Sequence, residues 1–82
     1  MNTERQLTKA ELADTENKMN ELAILADSRL LAIRNHLNPH EEDITKLHID
    51  KAIVEMTELH KNWQELKRLS DKKDKLREAL YG

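Results

Sequence analysis

The chain has no cysteine and no phenylalanine, and only one glycine, one proline, one tryptophan and one tyrosine in 82 residues. Each shortage excludes something. Without cysteine there is no disulfide framework, no thiolate metal site and no thiol nucleophile, and a reducing compartment, the cytoplasm, is the expected location. One glycine is too few for a loop that cradles phosphate, and 2% aromatic residues give little to build a sheet or line a ligand pocket. Long apolar runs are missing as well. No stretch approaches the roughly 18 apolar residues of a membrane span, and the opening MNTERQLTKAELADTENK has no apolar core of the signal-peptide kind, so a soluble protein is expected.

Charge and helix formers fill the space. Asp, Glu, Lys and Arg make up 37% of the chain, a composition suited to long helices and an all-α fold. A chain of 82 residues makes one domain and buries only about 60% of its unfolded surface, so it gains from a partner. The charge is uneven: residues 1–44 hold five basic against nine acidic side chains, and residues 61–82 hold seven against four. An antiparallel hairpin would lay the basic end beside the acidic start.

Local signals divide the chain in two. Thr8 and Glu11 in LTKAEL make a capping-box pattern, with Leu7 and Leu12 placed as a hydrophobic staple, and predict a helix from about residue 9. Thr3 and Gln6 offer a competing, earlier start. In NHLNPHEED, Asn38 is a good N-cap, Pro39 suits a first helical position, and Glu41, Glu42 and Asp43 load a first turn with negative charge. The expected organisation is a single helical-hairpin domain over 1–82, with a helix at about 9–37, a turn at 38–39 and a helix at about 40–80. Coiled-coil-like packing and assembly into a four-helix bundle follow as expectations.

The first helix carries a stripe of Leu12, Met19, Leu22, Ala23, Ala26, Leu30, Ile33 and Leu37, and the second a stripe of Ile49, Ala52, Met56, Leu59, Trp63 and Leu66. Leu22, Ile33, Met56, Leu59, Trp63 and Leu66 are the expected core. The segment LAILADSRLLAI, residues 22–33, has more apolar residues than one stripe requires. Ile24 and Leu31 point away from the first stripe, and Leu47 and Val54 away from the second. A turn at 38–39 would set Leu31 level with Leu47 and Ile24 level with Val54, which predicts an interaction seam between molecules. After Trp63 the apolar spacing runs in threes to Leu66 and Leu69, then on to Leu76 and Leu80, a stammer that would rotate the final segment onto another surface.

Candidate chemistry is sparse. The four histidines, His36, His40, His48 and His60, have no acidic residue three or four positions before them, unlike a helical di-metal site, so no metal and no cofactor is expected. Ser28 and Ser70 have no base and orienting partner beside them, and no enzyme activity is expected. The stretch KRLSDKKDKLR offers Lys67, Arg68, Lys72, Lys73, Lys75 and Arg77 as nucleic-acid contacts. Asp71 and Asp74 interrupt it, and no aromatic is interleaved for base stacking.

The segment HKNWQELKRLSDKKDKLREAL, residues 60–80, resembles the last helix of a spectrin repeat, in which Trp is followed by Leu three residues on and then by a basic stretch ending in Leu. NHLNPHEEDI resembles the loop that enters that helix, and residues 10–37 correspond to the middle helix. The first helix of such a repeat, with its own Trp, has no counterpart. The resemblance implies Trp63, Leu66 and Leu80 as core positions. It also implies an incomplete repeat, of the kind that in that family is completed by a partner chain.

The expected function is therefore a non-enzymatic module for protein–protein interaction or oligomerisation, a homo-oligomer (dimer favoured) or a binder of a helical protein. A small nucleic-acid-binding regulator and a phage-type helical inhibitor laid in a host protein's groove are the alternatives.

Overall fold

The computed structural model describes residues 2–82. It is an antiparallel helical hairpin about 64 × 17 × 14 Å: α1 spans Asn2–His36, α2 spans Ile49–Tyr81, and a 3-10 turn at Ile44–Lys46 lies in the connection. The two helices pack along their length.

The first helix begins well before the Thr8–Glu11 signal, near the earlier start that Thr3 and Gln6 offer, and the second begins later than its signal at Asn38–Pro39. Thr8 lies inside α1, where its hydroxyl donates to the Glu4 carbonyl at 2.9 Å, and Thr15 does the same to Glu11 at 2.8 Å. Such i−4 bonding satisfies a threonine within a helix and leaves the capping box unused.

The second helix starts at Ile49 rather than near residue 40, because polar side chains in the connection capture its backbone. Asn38 Oδ1 accepts from the His40 N–H at 3.0 Å, and Glu41 Oε1 accepts from the Asp43 N–H at 3.1 Å. Asp43 Oδ1 accepts from both the N–H and the hydroxyl of Thr45, at 3.0 and 2.6 Å. These local bonds offer each amide an alternative to the helical ladder. The hairpin is then closed by the His48 N–H donating to the His36 carbonyl at 3.1 Å, the two imidazoles meeting edge to face at 5.9 Å.

The longer connection resets which residues face each other. On α1 the covered positions include Thr8, Leu12, Thr15, Met19, Leu22, Ala26, Arg29, Ile33 and His36. On α2 they include Ala52, Glu55, Leu59, Asn62, Leu66, Leu69, Lys73, Leu76 and Leu80. Both sets alternate steps of three and four, an average of 3.5 residues, which keeps one stripe against a neighbouring helix. The predicted stammer is absent from this seam: Leu69 (2% exposed) continues it beside Leu22 in the middle of α1, and Leu80 beside Thr8 near its start.

The seam differs from the expected stripes in one respect. It admits polar residues, Thr15, Arg29, Glu55 and Asn62, and so is rotated away from Ala23, Leu30 and Leu37 on α1 and from Ile49, Met56 and Trp63 on α2. Ile33 is buried as expected, and Leu22, Leu59 and Leu66 are half-buried in the seam. Met56 and Trp63, expected in the core, are each 51% exposed. They stand one helical position outside the seam, because the stripe that counts only apolar residues follows the flank instead.

Candidate interaction surface

At about 100° per residue, the positions just after the seam on one side are Glu16, Ala23, Leu30 and Leu37 on α1 and Ile49, Met56, Trp63, Ser70 and Arg77 on α2. In an antiparallel pair these two rows lie side by side. Their half near the connection is apolar throughout. Leu37, Ile49, Ala52, Ile53, Met56, Thr57 and His60 line a groove of about 390 Å³. Ala26, Met56, Leu59, His60, Trp63 and Leu66 line a second of about 500 Å³. Met56 and His60 belong to both, so the two grooves form one trough. Leu30, Leu37, Ile49, Ile53, Met56 and Trp63 all remain substantially exposed along it.

Two neighbours on α2 contact Trp63. The His60 ring stacks on it at 5.7 Å with 24° between the planes, and Lys67 Nζ stands 4.6 Å from the ring centroid. A cation over an indole face is attracted by the ring quadrupole, so the indole is oriented while half of it stays in water.

Charge marks the outer half of this flank and most of the opposite one. Glu16 Oε1 meets Arg77 Nη2 at 3.4 Å and Lys73 Nζ at 4.0 Å, and across the other flank Glu11 meets Lys72 at 3.3 Å. Glu65 pairs with Arg68, which holds the Glu65 carboxyl below its ordinary range and raises the guanidinium. Between the flanks, Arg29 Nε donates to Asn62 Oδ1 at 3.0 Å and its Nη1 to Glu55 Oε2 at 3.4 Å.

The four side chains expected to form an intermolecular seam do not share a level or a direction. Leu47 lies in the connection and ends its 3-10 turn, beyond the His48–His36 join, so it is not opposite Leu31. Ala26 lines the same groove as His60 and Trp63, which sets Ile24 well past Val54. Ile24, at 71% exposed, points directly away from α2, with Leu31 on the same outer face, and Val54 lies toward the charged flank. The register offset comes from the twelve residues between His36 and Ile49.

The basic stretch is similarly dispersed. Lys67 covers Trp63, Arg68 pairs with Glu65, Lys72 with Glu11, and Lys73 and Arg77 with Glu16. Lys75 is exposed. The six cations lie around the helix rather than along one stripe, and five of them contact a partner within the hairpin.

His36 meets His48 across the hairpin base, not His40 as a cluster at the turn would need. Among the described residues no group of three or more histidine or acidic side chains is placed to hold a metal ion, and no helix is long and apolar enough to cross a membrane. Comparison with family models, with curated proteins and with solved structures finds no match to this chain.

The trough was only partly visible in the sequence. Leu30 and Leu37, and Ile49, Met56 and Trp63, recur at intervals of seven, a spacing that marks one side of a helix but not whether that side is covered. Ile53 and His60, which widen the trough, fall outside both predicted stripes.

Proposed function

We propose that this chain is a non-enzymatic interaction module, a cytoplasmic helical hairpin that dimerises through its apolar flank into a four-helix bundle. The observation that carries this reading is the continuous exposed row of Leu30, Leu37, Ile49, Ile53, Met56 and Trp63 on one flank. Monomeric proteins rarely leave so long an apolar patch in water, and one rimmed by polar groups such as Asp27, Arg34, His60 and Lys67 has the anatomy of a contact surface. Helix pairs cover such a flank by stacking on another pair. The resemblance to a spectrin repeat is in keeping, since the flank that bears Trp63 is where a further helix would lie.

Light scattering on a sizing column tests the proposal with Met56→Glu, a charge placed at the middle of the trough. The unmodified chain elutes as a dimer, and the variant elutes as a monomer that keeps its helical circular dichroism. An unmodified chain and variant of equal mass would refute the proposal.

A further inference from the structure

A stable interface covers roughly 800 Å² on each partner, whereas the six apolar side chains of the flank supply on the order of 500 Å². The rest has to come from the outer half of the same flank, where Glu16, Ser70 and Arg77 lie and the seam residue Lys73 reaches out to Glu16. That requirement separates the two ways in which a second copy can cover the flank symmetrically.

In one arrangement the two-fold axis crosses the helices, and the connections lie at opposite ends. Overlaying the apolar halves then brings the partner's connection level with Trp63, and everything beyond it stays uncovered. In the other the axis runs along the helices, the connections lie at the same end, and α1 of each copy stacks on α2 of the other over the whole length. The hairpin's own contacts fix which residues then meet. Glu16 is level with Lys73 and Arg77 within one copy, so it lies opposite Lys73 and Arg77 of the partner copy as well. The acidic group of α1 thus faces the basic groups of α2, twice over by symmetry. In the same register Ala23, the smallest side chain on the α1 row, comes level with the stretch between the partner copy's Trp63 and Ser70, and Leu30 with the stretch between its Met56 and Trp63. The indole thus lies between a small and a large neighbour, as interdigitating layers require.

Resting on the dimeric reading above, we infer that the flank is closed by a second copy of this chain with both connections at the same end, α1 over α2 in each half of a four-helix bundle. Glu16 bridges to Lys73 and Arg77 of both copies. The apolar layers supply the attraction, and the charged layers set the orientation, because turning one copy end for end removes the acidic–basic match.

The chain has no cysteine, so a single engineered one reports cleanly. Glu78→Cys sits on the exposed outer face near the end of α2 and carries a nitroxide spin label. With connections at the same end, the two labels lie across a bundle whose helices are 8–10 Å apart, and pulsed dipolar spectroscopy reads a separation of about 25 Å. With connections at opposite ends, each label lies some 22 residues from the centre and the separation exceeds about 60 Å at 1.5 Å per residue. The mass of the labelled protein is measured on the same sample. A dimer with the short distance supports the inference. A dimer with the long distance overturns the orientation while leaving the interaction module standing, and a monomer overturns both.

Discussion

Arg29 and Asn62 meet at the middle of the hairpin, Nε to Oδ1 at 3.0 Å, with Glu55 on the other arm of the guanidinium at 3.4 Å. Ala26 and Ile33 flank this cluster on α1, and Leu59 and Leu66 on α2. A hydrogen-bonded polar cluster between apolar layers costs stability but fixes register, because a slip of one helix leaves it without its partner. Asn62→Ala is predicted to lower the unfolding free energy by about 1–2 kcal/mol, the cost of a broken bond to a charged group. The triple change Arg29→Leu, Glu55→Leu and Asn62→Leu, which leaves no member of the cluster unpaired, is predicted to raise the urea midpoint and to broaden the amide NMR spectrum, as several registers become comparable.

Leu69 and Trp63 lie on the same helix with opposite roles. Leu69 is 2% exposed and Trp63 is 51% exposed. Leu69→Ala is predicted to cost about 2–4 kcal/mol of hairpin stability through the lost contacts and the cavity left behind. In a chain this small that removes most of the folded population at 25 °C, read by circular dichroism. Trp63→Ala is predicted to act chiefly on association, leaving a folded chain of lower mass at the same concentration. Equal loss of helix in both variants would contradict this division.

Asp43 accepts both Thr45 hydrogen bonds, and those bonds hold its carboxyl below the ordinary carboxylate range. A group whose folded pKa is depressed supports the fold above its unfolded pKa and loses that support as pH falls through the folded value. The connection is therefore predicted to loosen only in acid, below the range in which free carboxylates protonate. A carbon-13 NMR titration of the Asp43 carboxyl checks this, and Thr45→Val is predicted to move its midpoint upward.

The all-helical hairpin follows from the lack of glycine and proline, the helix-forming composition and the break at Asn38–Pro39, and Leu12, Leu22, Ile33, Leu59 and Leu66 lie where their periodicity puts them. Two things escaped for identifiable reasons. Residues 40–48 read as a helix start because acidic residues follow a proline, yet those same side chains bind nearby amides and hold the backbone out of the helix. The seam was rotated because an apolar stripe passes over Thr15, Arg29, Glu55 and Asn62. Allowing a polar residue at every third or fourth step recovers the run from Thr8 to His36 unbroken. The expected surface of Ile24, Leu31, Leu47 and Val54 failed as a geometry because it depended on the length of the connection, which hydrogen bonds between neighbouring residues decide.

In the proposed assembly the flank bearing Met56 and Trp63 is covered by another copy of the chain. Sedimentation equilibrium of the unmodified protein over a hundredfold range of concentration tests it most directly. The predicted result is a mass of twice 9.6 kDa at the upper end, relaxing toward the monomer on dilution. A folded chain of 9.6 kDa at every concentration would contradict it.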